Sequence, residues 1–326
     1  MEILKTKVLE LESLNGNFFR DRKVVAVLGF FDGVHLGHLK IIGECLNRAG
    51  VIGGCSLAFT FDAPPANIIN RKLDKKLITS FSDKIRLLKG TGLDYIVVAK
   101  FNRKFSGLDP GQFCRDVLEK KLNAAEIFIG KGFKFGKNSS GDVNFLRNYF
   151  KGSNVNINEI EILKLNGMAV SSTAIRNYYN LGDVDNVNKF LGRIPFIKGT
   201  VIHGDSRGRL LGFPTANIDV FEKYVMFKDG VYAGFVRLLS ARKNRLMPSV
   251  VNIGNNPTFD GKRKWAESYI LDFREDIYGK RIEVSFLKRL RDEKTFSDRD
   301  ELVRQIKSDI ENAKQFFKNF SEIYKL

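Results

Sequence analysis

In the first half of the chain, apolar and β-branched runs at Val24–Phe30, Cys55–Phe61, Tyr95–Ala99, Ile127–Gly130 and Val155–Ile160 alternate with stretches of helical spacing. Leu39, Ile42 and Leu46 recur on one helix face. Asp109-Pro110 reads as an N-cap followed by proline at the first helical position, and Asp142 as a cap ahead of Val143–Phe150. Further helices are predicted through Thr173–Asn180 and Asp183–Leu191. Such alternation predicts a parallel sheet with helices on both faces. From about residue 192 the pattern changes to consecutive short strands at Phe196–His203, Val231–Leu238, Pro248–Ile253, Glu267–Phe273 and Arg281–Leu290, separated by Gly-, Asn- and Asp-rich turns. That succession predicts an antiparallel barrel or sandwich. A last helix begins near Ser297, where Ser297-Asp298-Arg299-Asp300 reads as a capping box with Asp in place of Glu or Gln. Its buried stripe is Leu302, Ile306, Ile310, Ala313 and Phe317. The boundary is expected inside or after the helix at 183–192, which divides the chain into 1–185 and 186–326.

Composition narrows the field only slightly. The 326 residues are enough for two domains, each able to bury a core, and 43% hydrophobic with 28% charged residues excludes extensive disorder. Lys plus Arg exceeds Asp plus Glu by 54 − 37 = 17, which admits phosphate-bearing partners. Cys45, Cys55 and Cys114 are odd in number and widely spaced, against a disulfide framework or a cysteine zinc site. No apolar run approaches the ~20 residues of a membrane span, and the N-terminal segment lacks the apolar stretch of a secretion signal. A cytoplasmic protein is expected.

Candidate chemistry begins at Val24–His38, VVAVLGFFDGVHLGH, which runs from a strand through a Gly-rich turn into a helix. Ligands of open parallel sheets bind at the carboxyl ends of strands, and a helix start offers N–H groups to an anion. Gly29, Gly33 and Gly37 permit close approach of a phosphate, and His35 and His38 can stabilise charge developing on it. Ser171-Ser172-Thr173-Ala174-Ile175-Arg176 adds hydroxyls and a guanidinium at a second helix start. In the second half, GTVIHGDSRGRLLGFPTANI (Gly199–Ile218) holds Gly204, Gly208 and Gly212 with Arg207 and Arg209, a loop able to wrap a polyphosphate. Thr215 and Asn217 face one side of a strand, and their oxygens suit Mg²⁺; a hairpin with a cap fits the same residues. No Walker A spacing is present, GKGFKFGKN being the nearest string.

The strings GFFDGVHLGH, FTFDAPP, GKGFKFGK and VSSTAIR resemble the adenylyltransferase half of prokaryotic bifunctional FAD synthetases. Gly212-Phe213-Pro214-Thr215-Ala216-Asn217 is similar to the riboflavin kinase signature. It is continued in family order by Gly230–Ala233, Asn252–Gly254, Pro257–Phe259, Leu271–Phe273, Tyr278-Gly279 and Arg291–Glu293. The resemblance implies an α/β architecture: an N-terminal Rossmann-like nucleotidyltransferase domain, then a β-barrel riboflavin kinase domain with a C-terminal helix. It also implies phosphorylation of riboflavin to FMN, and adenylylation of FMN to FAD with release of pyrophosphate, with ATP as co-substrate of both steps and Mg²⁺ as metal.

Carried over residue by residue, Gly29, Phe31, Asp32, Gly33, His35, His38, Ser171, Thr173 and Arg176 hold and polarise ATP for adenylyl transfer, with Phe61 and Asp62 on the flavin. Gly204, Arg207, Gly208, Gly212 and Pro214 hold ATP for the kinase, Thr215 and Asn217 hold Mg²⁺, Glu267 is the catalytic base and Arg291 contacts the flavin. Departures are expected to weaken adenylylation. Asp62-Ala63-Pro64-Pro65 stands where the family commonly has Asp-Pro-His-Pro, and Gly132 precedes Phe133 where Asp or Asn is common. A kinase with a weakened or inactive adenylyltransferase half is the nearest alternative. A basic nucleic-acid-binding protein fits the +17 charge, but the basic residues are spread and no aromatic-basic signature is present. Neither a nucleic-acid nor a membrane partner is expected.

Overall fold

A computed structural model describes residues 6–70, 75–204, 207–220, 224–239, 245–255 and 264–324. Its contacts divide the chain into two compact units, Met1–Ser172 and Thr173–Leu326.

The first unit is built on a six-stranded sheet, β1 (Lys7–Glu10), β2 (Val24–Leu28), β3 (Cys55–Phe61), β4 (Tyr95–Ala99), β5 (Ala124–Gly130) and β6 (Asn156–Ile160), in the order β1-β4-β3-β2-β5-β6. Every pairing in it is parallel. All residues of β2 and β4 are buried, the continuous apolar run expected of a strand covered on both faces. The hydropathy pattern does not single out β1, because KVLE is mostly exposed at the sheet edge. Helix α1 (Leu36–Ile52) buries Ile42, Cys45 and Ala49 on one face, with Leu39 and Leu46 packed beside them. Helix α2 (Phe81–Lys89) lies on the same side. Asp109 forms a full capping box with Gln112, and Asp142 accepts the Phe145 N–H at 3.0 Å to start α3 (Val143–Tyr149). Asn166-Gly167, both with positive φ, turns a small hairpin of β7 (Lys164–Leu165) and β8 (Met168–Ala169). Because β2 pairs with β3 on one side and β5 on the other, the direction of strand succession reverses at its carboxyl end. A crevice opens at such a reversal.

The second unit begins in α4 (Ser172–Leu181), followed by α5 (Val184–Leu191), whose cap Asp183 accepts the Asn186 N–H at 3.0 Å. The contact division thus falls after the first residue of α4, and within the second unit Tyr179 of this helix packs on Phe227 at 4.3 Å. Strands β9 (Phe196–Ile202), β10 (Ala216–Val220), β11 (Gly230–Leu238), β12 (Met247–Asn255), β13 (Lys264–Ile270) and β14 (Arg281–Asp292) close into a barrel, β10-β13-β12-β11-β14-β9. All its pairings are antiparallel. Buried Tyr232, Val251, Ala266, Ser268, Val284 and Phe286 share one parity and fill the interior. Residues of the other parity carry helix α6 (Arg299–Tyr324), whose Ala313 and Phe317 pack on Ala233, Phe235 and Leu287.

Two details depart from the pattern. β13 starts and ends earlier than Glu267–Phe273, since Asp272 has φ +53 and cannot continue a strand. The cap of α6 is Asp298 rather than Ser297. Its Oδ1 accepts the Glu301 N–H at 2.8 Å, while Glu301 Oε2 accepts the Ser297 N–H at 2.9 Å, a box shifted by one residue.

Candidate active sites

The first candidate site lies at the carboxyl end of β2. Beyond the strand the chain makes a left-handed turn, with φ of +57 at Phe31, +83 at Gly33 and +39 at Val34. Only glycine adopts this region without strain, so the turn must be held from outside. The segment that holds it comes from a distant stretch of chain. Asp32 Oδ1 accepts the N–H of Ile78 at 3.0 Å and of Thr79 at 3.3 Å, and Thr79 Oγ1 accepts the Gly33 N–H at 3.2 Å. Ser172 Oγ donates to the Asp32 carbonyl at 2.9 Å. The buried Asp32 carboxylate therefore shapes the turn, and the Phe31 ring packs edge-on to His38 at 5.3 Å.

The turn delivers His35 as the N-cap of α1, where its Nδ1 accepts the His38 N–H at 3.3 Å. The two imidazoles stack at 3.6 Å and 17°. A Cβ at Gly37 would lie 3.0 Å from the Val170 carbonyl oxygen and 3.2 Å from the His35 ring, so this glycine is required by space. The hydroxyl-bearing segment ahead of α4 thus reaches the first histidine turn through Val170 and Ser172. Thr173 and Arg176 follow in α4, within the second unit.

Phe61, at the end of β3, joins an aromatic cluster with Phe59, Phe101 and Phe105 at 4.9–5.5 Å. Asp62 Oδ1 accepts the Phe101 N–H at 2.9 Å. Lys84, absent from the sequence reading, is 3% exposed and sits beneath the same strand ends. Gly132 has φ +79 with open space around its missing side chain.

The second candidate site is a row across the barrel wall. Asn217 of β10 pairs with Glu267 of β13, Glu267 with Asn252 of β12, Asn252 with Val231 of β11, and Val231 with Arg291 of β14. Directly opposed residues share a face, so these side chains line one band of the outer wall beside α6. A cavity of about 260 Å³ collects Thr215, Glu267, Asn252, Val231 and Arg291 against Phe296 and Asp309. Arg291 donates from Nε and Nη2 to Asp309 on α6 at 2.7–3.0 Å, and Gln305 Nε2 donates to the same carboxylate at 2.9 Å. A second cavity, of about 390 Å³, shares Thr215 with the first and is otherwise lined by residues that include Pro214, Ala216, Ser268, Phe273 and Tyr278. Thr215 stands at both.

Close packing explains the glycines of this loop. A Cβ at Gly204 would lie 2.2 Å from the Asn217 amide, and one at Gly208 would lie 3.1 Å from Thr215 Oγ1 and 2.5 Å from the Phe213 carbonyl oxygen. Gly212 has φ +88. The loop is folded tightly around the Thr215 and Asn217 oxygens, and these neutral donors suit an octahedral cation that keeps most of its ligands on substrate phosphates and water. Among the described residues no cluster of His, Cys, Asp and Glu could hold a metal ion without substrate. The Arg207 side chain and Pro257–Phe259 lie outside the described residues. Sequence reasoning missed Asp309, Lys84 and the role of Asn252 in the row.

A family model described as riboflavin kinase matches residues 191–317, and one described as FAD synthetase matches residues 19–174. The chain is 37% identical over 302 residues to the bifunctional riboflavin kinase/FMN adenylyltransferase of Bacillus subtilis, covering 91% of this chain and 93% of that protein. To the Escherichia coli protein of the same name it is 32% identical over 293 residues, covering 90% and 92%. A crystal structure titled macrolide-efflux protein from Streptococcus pneumoniae superposes with a TM-score of 0.83 at 28% identity, covering 94% of this chain and 98% of that one. Among the described residues of this chain no helix is long and apolar enough to cross a membrane.

Proposed function

The chain belongs to the bifunctional riboflavin kinase/FMN adenylyltransferase family, and from that premise we propose which residues of each unit do the work. The second unit phosphorylates riboflavin to FMN with ATP; the first joins FMN to the AMP moiety of another ATP, giving FAD and pyrophosphate.

In the kinase unit, the observation that carries the reading is the cross-strand row from Asn217 to Arg291 with Thr215 at the junction of two cavities. The larger cavity takes the ATP and the smaller one, closed by α6, takes the flavin. A primary alcohol is a weak nucleophile and needs an acceptor for its proton; Glu267, in the middle of the row, is that base. Arg291, braced by Asp309, orients the flavin. Thr215 and Asn217 are the protein ligands for Mg²⁺, which supplies charge neutralisation of the ATP phosphates when bound. Gly204, Arg207, Gly208, Gly212 and Pro214 form the loop over those phosphates.

In the adenylyltransferase unit the nucleophile is the FMN phosphate, already ionised, so no side chain need be activated. His35 and His38 stabilise the charge that develops at the α-phosphorus. The backbone of Gly29–Gly33 and the helix start receive the phosphates, Ser171 adds a hydroxyl, and Phe61 and Asp62 border the flavin; Thr173 and Arg176, next in sequence, match the family's triphosphate-binding motif. Cys45, Cys55 and Cys114 are all unpaired, which supports a reducing, cytoplasmic setting.

The test is to supply Mg·ATP with either riboflavin or FMN and separate FMN from FAD. Wild type should form FMN from riboflavin and FAD from FMN. Glu267→Gln should lose only the former. Loss of both, or of neither, in a folded variant would overturn the assignment of Glu267 to the kinase unit alone.

A further inference from the structure

Among the described residues of the first unit, the buried amine that the proposed chemistry leaves unused is Lys84 of α2. Its Nζ donates to the Phe30 carbonyl at 3.1 Å, to Thr60 Oγ1 at 3.2 Å and to the Phe61 carbonyl at 2.6 Å. Thr60 Oγ1 in turn donates to the Phe30 carbonyl at 3.1 Å, and the ammonium lies 4.2 Å from the Phe30 ring centroid. A lysine is almost never this buried without a purpose that repays its desolvation. Here no carboxylate touches it. Its partners are two main-chain carbonyls and one hydroxyl at the carboxyl ends of β2 and β3, the two strands beneath the histidine turn.

We propose that Lys84 is a positioning residue for adenylyl transfer: anchored on Thr60 and the Phe61 carbonyl, it holds the Phe30 carbonyl, and through it the left-handed turn that presents His35 and His38 to the triphosphate. The proposal rests on reading the first unit as the adenylyltransferase. Phe30 is the last residue before the positive-φ segment, so whatever pins its carbonyl sets where Phe31–Val34 begin. The same stretch of chain grips the turn from its far side through Ile78 and Thr79, so Lys84 is the third point of a clasp at 78–84. Burial pulls the amine's pKa down to about 7, opposed by Asp32 and Asp62. A triphosphate beside the turn adds anionic charge, which favours the ammonium form, so ligand and clasp reinforce one another.

The experiment compares wild type, Lys84→Met, Lys84→Arg and Thr60→Val as full chains. FMN adenylylation is measured as kcat and KM for ATP, riboflavin phosphorylation serves as an internal control, and amide hydrogen exchange follows residues 29–38. Misplacement by about 1 Å can cost on the order of 100-fold. Lys84→Met should therefore lower adenylylation kcat by roughly 10- to 100-fold, with KM changed far less and exchange faster across 29–38. Lys84→Arg should recover part of the loss, and kinase activity should not move. Thr60→Val, which removes one shared partner in a strand that tolerates valine, should shift kcat and exchange in the same direction by a smaller factor. It decides the matter if Lys84→Met does not fold. Unchanged kcat and exchange, or a rise in KM alone, in folded variants would overturn the inference while wild type still makes FAD. A wild type that makes no FAD from FMN would remove the underlying reading and the inference with it.

Discussion

The two candidate sites are built in opposite ways. In the first, one continuous segment of chain, from β2 through the histidine turn into α1, supplies most of the proposed site, and distant residues at 78–84 and 172 hold that segment in shape. In the second, the site is a row to which β10, β13, β12, β11 and β14 each give one residue, with α6 closing it. A parallel sheet gathers its loops at one edge, so function condenses where strand order reverses. An antiparallel barrel has no such edge, and function there depends on register, because a slip of one residue would turn every side chain to the other face.

The largest break in that comparison should come from Glu267→Gln. Removing a general base typically costs ~10²–10⁴-fold, so FMN formation should nearly vanish while supplied FMN is still converted to FAD at the wild-type rate. Steady-state assays of the two steps on one preparation check this. His38→Ala should do the reverse, lowering adenylylation by roughly 10²–10³-fold through lost charge stabilisation and sparing the kinase.

Asp309→Leu sharpens the picture of the barrel site. Asp309 is 4% exposed and holds Arg291 with two-point geometry. Breaking a buried pair at one partner costs about 3–5 kcal/mol; partial exposure of Arg291 lowers that figure. Expected are a clear fall in the melting temperature of the second unit and a raised KM for riboflavin, with KM for ATP little changed. Equal changes in both Michaelis constants would sink the assignment of Arg291 to the flavin cavity.

A pH titration probes the first unit. Lys84 has a folded pKa of about 7 against 10.5 when free. Between those values unfolding takes up a proton, so raising pH through the window stabilises the fold, by at most about 1.4 kcal/mol per pH unit. The buried thiols of Cys45 and Cys114, pushed from 9.0 to about 12, act in the opposite sense above pH 9. Thermal unfolding of the first unit should therefore shift upward from pH 7 to 9 in wild type and less so in Lys84→Met.

The smallest effect belongs to Gly132→Asn. The positive φ makes a side chain there strained, although Asn tolerates it better than most and the space is open. A gain in FMN binding and a backbone cost of about 1 kcal/mol should nearly cancel, leaving KM for FMN within a few-fold of wild type. A tenfold improvement would mean that the missing polar group, not the backbone, limits this half.

The same contrast decides what the sequence disclosed. Strand–helix alternation, the caps at Asp109 and Asp142, and the contiguous histidine turn are all local patterns, and they are present in the structure as read. The pairing of Asn217 with Glu267, and the row that continues through Asn252 and Val231 to Arg291, is a matter of register, which no single segment encodes; only the similarity of separated motifs brought those residues together. Lys84 and Asp309 were hidden differently. Both occupy helices, where charged residues ordinarily face water. Yet Lys84 stands in the stripe Phe81, Lys84, Ile85, Leu88, and Asp309 sits between Ile306 and Ile310 on the buried side of α6. A charge inside an apolar stripe was the available signal.

Thr215, at the meeting of two cavities, has a kinetic consequence. When donor and acceptor reach the transfer point through separate openings, neither blocks the other's path. On the proposed assignment of ATP to the larger cavity and flavin to the smaller, the kinase step is expected to proceed through a ternary complex without a phosphorylated enzyme, and double-reciprocal plots for ATP and riboflavin should intersect rather than run parallel. An inert ATP analogue should then compete with ATP and not with the flavin.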